Sequence, residues 1–277
     1  MREFNGKAAF ITGGACGIGL ALAGAFVEAG MNVMLADIQE KALDKTLTEL
    51  KGRRSGPEVR GVLCDVADLA SLKRAADETF AAFGNVHVVC NNAGVGWGGQ
   101  VESIPAADWE WQIGVNLMGV IYGVQAFLPH IKAHGEGGHI VNTASMSGFL
   151  AAPGLGPHTV TKFGVVGLSE TLAVELAGTS VGISVLCPAF VRTSYAENIQ
   201  RLRALHFGTP VDEKPEPATA QLATLIRGGI DPKEVARRVM RAIEDNDLYI
   251  FTHPETRAPL EDRFRQVIAA FDKAAKV

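Results

Sequence analysis

The sequence predicts one doubly wound α/β domain spanning residues 1–277, a seven-stranded parallel sheet with helices on both faces. Three observations carry this. Apolar β-type runs alternate with longer helical patterns along the chain. The runs are nearly continuous in apolar residues, as strands buried on both faces must be. A glycine-rich turn separates the first run from the first helical pattern.

In order, "KAAFIT" (7–12) is a strand followed by a helix over 18–28. "NVMLAD" (32–37) precedes a charged helix over 39–51, and "EVRGVLCD" (58–65) a helix over 68–82. "VHVVCN" (86–91) precedes a helix over 107–132, and "GHIVNTAS" (138–145) a helix over 157–177. "VGISVLCP" (181–188) and "DLYIFT" (247–252) complete the sheet. Residues 194–230 break the rhythm. They include the Pro- and charge-rich "GTPVDEKPEPATA" and follow strand six, where such sheets hold ligands. They read as a substrate-covering loop or lid.

Composition excludes several function classes. The net charge is −4 and no Lys/Arg block stands out, so nucleic acid and membrane surfaces lack electrostatic support as partners. Residues 8–27 are uncharged and imitate a signal peptide or a span. The five glycines inside the run make a poor hydrophobic segment, and a soluble, cytoplasmic chain is expected. Cys16, Cys64, Cys90 and Cys187 are far apart, without a C-x-x-C pair, which fits a reducing compartment. His130 and His134 can share a helix face, but with no acid read beside them no metal is assigned.

"TGGACGIG" (12–19) lies between strand and helix, where a pyrophosphate approaches backbone N–H groups at a helix N-terminus. Gly13, Gly17 and Gly19 permit the turn and the close approach, with Ile18 at the start of the helix. Asp37 ends the second strand eighteen residues after Gly19, placed to accept hydrogen bonds from a ribose. It also repels a 2′-phosphate, and neither the turn nor positions 38–39 hold an Arg or Lys to offset that. NAD is therefore expected over NADP.

With these residues the chain resembles the short-chain dehydrogenase/reductase family, a Rossmann fold, along nearly its whole length. The glycine spacing is the family's G-x-x-x-G-x-G. "CDV" (64–66) resembles its D-V pair, implying that Asp65 and Val66 flank the adenine. "NNAG" (91–94) matches its motif after strand four, implying that Asn92, Ala93 and Gly94 line the cofactor cleft. "CPAFVRT" (187–193) resembles its P-G-x-V-x-T segment, implying that Val191 and Thr193 contact the nicotinamide carboxamide. Ala189 replaces the usual Gly there.

The resemblance also implies a catalytic set. Ser145, in "NTASMSG", bonds the substrate oxygen. Lys162 holds the nicotinamide ribose and lowers the pKa of a catalytic tyrosine. Asn116, in "GVNLMGV", supports a water relay. That tyrosine belongs four residues before Lys162 and thirteen after Ser145, and position 158 is His. Tyr122 lies on another helix and Tyr195 beyond the sixth strand, so neither is expected to substitute.

Neutral imidazole suits base work. Lys162 and a nicotinamide cation would both depress its pKa, and its ring is shorter than a phenol. Two readings stand: a working variant acid/base, or a site impaired by substitution, natural or engineered, that still binds cofactor. A Ser-His hydrolase is disfavoured, since the chain has no G-x-S-x-G elbow and the cofactor motifs would be purposeless. A non-catalytic NAD-binding protein is the alternative that loss of the tyrosine favours, against the retained Ser145, Lys162 and Asn116.

More narrowly, "RLRALHFGTP" and "EDNDLYIFTHPETR" resemble bacterial dehydrogenases that oxidise the benzylic alcohol of lignin-type aryl ethers. This implies an NAD-dependent oxidoreductase interconverting a bulky aromatic secondary alcohol and its ketone. Leu202, Leu205, Phe207, Trp97 and Phe149 are candidate walls, each equally readable as core. The family pairs the helices over 107–132 and 157–177 across a dimer within a tetramer. Small residues such as Gly164, Gly167 and Ala173 fit that pairing, and a homotetramer is expected.

Overall fold

The structure is a computed structural model that describes residues 1–51, 56–210 and 217–274. The strands are β1 (Ala8–Thr12), β2 (Asn32–Asp37), β3 (Val59–Leu63), β4 (Val88–Asn91), β5 (Gly138–Thr143), β6 (Val181–Cys187) and β7 (Tyr249–Phe251). They form one sheet in the order β3-β2-β1-β4-β5-β6-β7. Every pairing is parallel. Chain order reverses between β1 and β4, which opens a crevice at the C-terminal strand ends.

The helices are α1 (Gly17–Glu28), α2 (Glu40–Lys51), α3 (Leu69–Phe83), α4 (Ala106–Ile113), α5 (Gly119–His134), α6 (Gly156–Glu175), α7 (Tyr195–Phe207), α8 (Pro217–Arg227), α9 (Pro232–Asp245) and α10 (Arg257–Ala274). The strand period of two splits the core into two layers. Ile11 and Leu35 face a layer with Leu22 and Phe26 of α1 and Val235, Val239 and Ile243 of α9. Phe10 and Val89 face the other, with Leu72 of α3, Phe127 and Ile131 of α5, and Leu172 of α6.

The uncharged 8–27 run is thus divided among β1, the glycine turn and α1, packed inside the domain. The stretch Ala106–His134 is long and apolar enough to cross a membrane by length and composition. In the fold it lies against the sheet, with Val120, Val124, Phe127 and Ile131 buried. It is also not one regular helix: Gly114–Met118 forms a π-helical segment between α4 and α5.

The 194–230 segment is mostly helical rather than a loop, its described residues forming α7 and α8; residues 211–216 lie outside the described ones. α7 buries only Ala196, Ile199 and Ala204, too sparse a pattern to read as an amphipathic helix in sequence. α9 has a clearer signal. Asp231 caps it by accepting from Lys233 N at 2.8 Å, and Pro232 sits in its first turn.

Candidate active site

The glycine turn closes against the end of β4. Gly13 and Gly17 hold φ of +62° and +56°, conformations that side chains disfavour. A Cβ at Gly19 would strike the Gly13 carbonyl oxygen. Cys16 offers α1 no side-chain cap, and no acidic residue stands in its first turn. Its leading N–H groups therefore suit an anion.

The Thr12 hydroxyl accepts from Asn92 N at 2.9 Å and Ala93 N at 3.0 Å. The Asn92 amide donates to Thr12 O at 3.1 Å and Gly13 O at 3.3 Å. Asn92 thus braces the turn with its side chain, and Thr12 is a bracing residue that motif matching passed over.

The Asp37 carboxylate is buried. Its Oδ2 accepts from Ala15 N at 3.1 Å and its Oδ1 from Gln39 N at 3.0 Å. Each oxygen keeps a lone pair for a further donor. Burial pushes its pKa up, opposed by the backbone N–H groups. Asp65 is exposed and turns the chain toward α3, accepting from Ala67 N at 2.9 Å. Val66 is buried against the Gly119 backbone, and Ile18 is half-buried on α1. Thr193 approaches the glycine turn, its Cγ2 3.2 Å from where a Gly17 Cβ would sit. Val191 is buried and bridges to Ile230.

Ser145 stands at the end of β5. Its hydroxyl accepts from Ser147 N at 3.1 Å and donates to Pro188 O at 3.3 Å. Lys162, on α6, is buried and donates to Thr143 O at 2.9 Å. Removal from water lowers its pKa from 10.5 to about 8. Its Nζ lies 3.7 Å, and Asn116 Oδ1 3.3 Å, from where a Gly94 Cβ would be, so glycine there leaves the cleft open over both.

Asn116 lies in the π-helical segment. Its amide accepts from Val95 N and donates to Val95 O, both at 2.8 Å. The extra residue in that turn redirects Asn116 across the cleft, a common use of π-bulges.

His158 sits one turn before Lys162 on α6. The Val95 carbonyl beside its ring favours the charged form. Desolvation and then the Lys162 charge oppose this and bring its pKa from 6.5 down to about 3. The imidazole is therefore neutral at ordinary pH.

Tyr195 lies nearer to this site than its place in the sequence suggests. α7 folds back over the strand ends and places the Tyr195 hydroxyl 2.9 Å from the position of a Gly96 Cβ. His158 Nδ1 lies 3.7 Å from that same position. The distance along the chain that set Tyr195 aside is closed by α7.

The family profile described as short chain dehydrogenase matches residues 7–203. The chain belongs to the short-chain dehydrogenases. It is 37% identical to a C alpha-dehydrogenase of Sphingobium sp. (strain NBRC 103272 / SYK-6), covering 97% of this chain and 87% of that protein. It is 32% identical to a 1-deoxy-11-beta-hydroxypentalenate dehydrogenase of Streptomyces exfoliatus, covering 94% and 88%. A solved short chain dehydrogenase/reductase from Burkholderia phymatum, in complex with NAD, superposes with a TM-score of 0.91. It is 40% identical over 98% of this chain and 97% of that one.

Within this short-chain dehydrogenase the expected walls take different roles. Phe149 is core, ringed by Tyr249 and Phe251. Leu205 is exposed. Trp97 and Phe207 lie on the Arg203 guanidinium, 4.3 and 5.2 Å from their ring centres. His253 is a further residue motif reading missed. Its Nδ1 accepts from Ala189 N at 3.3 Å, so its Nε2 donates to Phe190 O at 3.0 Å and braces the segment carrying Val191 and Thr193.

At the opposite, N-terminal end of the central strands, His87, His134 and Glu136 converge, so His134 does have an acid beside it. The site does not suit a cation. His87 Nδ1 accepts from Ala8 N at 3.2 Å, leaving Nε2–H for Glu136 at 2.9 Å. His134 Nδ1 accepts from Glu136 N at 3.1 Å, leaving Nε2–H for Val86 O at 3.0 Å. Every ring lone pair is engaged, and Lys7 supplies the cation to Glu136 at 2.8 Å.

Proposed function

We propose that the chain is an NAD-dependent oxidoreductase that interconverts a bulky aromatic secondary alcohol and its ketone. The observation that carries this reading is the meeting of Ser145, His158, Lys162 and Asn116 at the strand ends, beside the glycine turn and Asp37.

The residues fit the dinucleotide. The N-terminus of α1 suits its pyrophosphate, and the spare lone pairs of Asp37 suit ribose hydroxyls. Asp65 and Val66 would flank the adenine. Gly13, Gly17, Ile18, Gly19, Asn92, Ala93 and Gly94 would line the cleft, and Val191 and Thr193 would hold the carboxamide. When bound, NAD supplies the hydride acceptor.

The chain's own residues manage the hydroxyl. Ser145 donates to the substrate oxygen in place of its bond to Pro188. Lys162 orients the ribose from its buried position. Neutral His158 takes the hydroxyl proton at a ring nitrogen, and Asn116 holds the Val95 carbonyl beside that ring. The resemblance of "RLRALHFGTP" and "EDNDLYIFTHPETR" to dehydrogenases of lignin-type aryl ethers supports an aromatic substrate, and α7 and α8 over the site support a bulky one.

Assembly as a homotetramer in the cytoplasm is part of the same reading. Val160 and Val174 are exposed on α6, and Phe264, Val267, Ile268 and Phe271 on α10, surface that copies of the chain would cover. Sizing with light scattering tests it, and a monomer would refute it.

The decisive experiment compares this chain with its His158→Tyr variant, following NADH formation with NAD and a panel of aryl and aliphatic secondary alcohols, alongside NAD affinity. A large gain with unchanged NAD affinity makes His158 an impaired acid/base in a dehydrogenase. Equal or better turnover with His158 makes the imidazole the working group. If neither turns over alcohol while both bind NAD, the chain is a non-catalytic NAD-binding protein. The low pKa of His158 favours that alternative. Faster turnover of small polyols than aryl alcohols in His158→Tyr would sink the substrate class.

A further inference from the structure

α7 starts at Tyr195 and is held over the strand ends at two points. Asn198 Nδ2 lies 3.3 Å from Cys16 Sγ in the glycine turn. Arg203 grips Asp108 of α4 through Nε–Oδ1 at 2.8 Å and Nη2–Oδ2 at 3.0 Å. The Tyr195 ring is therefore fixed by its helix and not merely swung toward the site.

Where it points is informative. The Tyr195 hydroxyl and His158 Nδ1 both border the small space left by the absent side chain of Gly96, and Ile199 Cδ1 closes it at 3.7 Å. Removal from water raises the hydroxyl's pKa, so it is neutral and a donor, and among the described residues none hydrogen-bonds to it. Tyr195 is half-buried, and a phenol hydroxyl without a protein acceptor beside the candidate catalytic residues is available to a ligand.

The imidazole at 158 is shorter than a phenol and stops short of the point that a tyrosine there would reach. Tyr195 reaches that space from α7, a different element. We propose that Tyr195 is a catalytic residue, its hydroxyl hydrogen-bonding the reacting oxygen of the substrate across the Gly96 gap from His158. Tyr195 keeps its own proton throughout. It steadies the oxygen as negative charge develops there, the role of an oxyanion donor. The two tasks that the family gives to one phenol are here divided between a donor from α7 and an imidazole from α6. This rests on the oxidoreductase reading above.

The test is a double-mutant cycle of Tyr195→Phe and His158→Tyr, read in alcohol oxidation, in NAD affinity and in the carbonyl stretch of an isotope-labelled aryl ketone bound with NADH. Tyr195→Phe should lower kcat by about 100-fold, leave NAD affinity unchanged and raise the carbonyl frequency as a hydrogen bond is lost. In the His158→Tyr background the same change should cost far less, because the new phenol supplies a donor. Equal losses in both backgrounds, or an unmoved carbonyl band, overturn the proposal and leave Tyr195 as packing. Activity in His158→Tyr alone, with this chain inert, overturns it while the oxidoreductase reading survives. Inactivity of every variant towards secondary alcohols overturns both.

Discussion

Arg203 and Asp108 form a two-point ion pair, Nε to Oδ1 at 2.8 Å and Nη2 to Oδ2 at 3.0 Å, with the Asp108 side chain only 2% exposed. This pair clasps α7 to α4, and Trp97 and Phe207 cover the guanidinium. Arg203→Ala leaves a buried carboxylate without its partner, and the loss of stability should be about 2–3 kcal/mol, below the full buried-pair cost because Arg203 is partly exposed. Asp108→Ala together with Arg203→Ala should cost less than Arg203→Ala alone, since no orphaned charge remains. Chemical denaturation of the three variants checks this; additive losses would show that the pair is not coupled.

Acid stability should depend on His158. Its folded pKa of about 3 lies below the 6.5 of a free histidine, so between these limits the unfolded chain binds a proton that the folded chain does not. Stability therefore rises with pH across that window and is lost as the pH falls through it. Buried His139, also lowered to about 3 by desolvation, acts in the same direction. His158→Tyr removes one such group, so the slope of unfolding free energy against pH between about 4 and 6 should flatten by one proton equivalent. Urea melts at several pH values measure it, and identical slopes would contradict the burial of the ring.

Local patterns made much of this architecture legible. β1, the glycine turn and Asp37 lie within one short stretch, and Ser145, His158 and Lys162 within another, so the motifs of the family that the chain resembles carry over to them at short range. Asn116 was legible as a residue, whereas the π-helical turn that aims it was not, because one inserted residue leaves no compositional mark. The nearness of Tyr195 to the site was hidden for a different reason. Its position depends on Arg203 meeting Asp108, a contact between residues 95 apart in sequence. The His87–His134–Glu136 cluster was obscured likewise, since His87 comes from a different segment than the other two.

If neutral imidazole is the proton acceptor, the pH–rate profile should carry its signature. An acid limb reports the pKa of the base, and His158 is held at about 3. The kcat/KM for alcohol oxidation should stay flat from neutrality down to about pH 5, where an ordinary imidazole would already be mostly protonated. An acid limb with its midpoint near 6.5 would mean that bound cofactor or substrate restores the ring's basicity, or that another group takes the proton.

Asp37 gives the sharpest test of cofactor choice. Both of its oxygens are tied to backbone N–H groups, at 3.1 Å to Ala15 and 3.0 Å to Gln39, so the carboxylate cannot swing away from an approaching 2′-phosphate. Half-buried or deeper, such a charge repels another more strongly than in open water. Asp37→Ser keeps an acceptor near Ala15 while removing the charge. It should weaken NAD binding by about ten-fold, the equivalent of one charge-assisted hydrogen bond, and narrow the preference over NADP by a larger factor. Titrating both dinucleotides against the two proteins by fluorescence separates these effects. An unchanged ratio of affinities would mean that the preference arises elsewhere in the cleft, and that Asp37 serves chiefly to hold the glycine turn against β2.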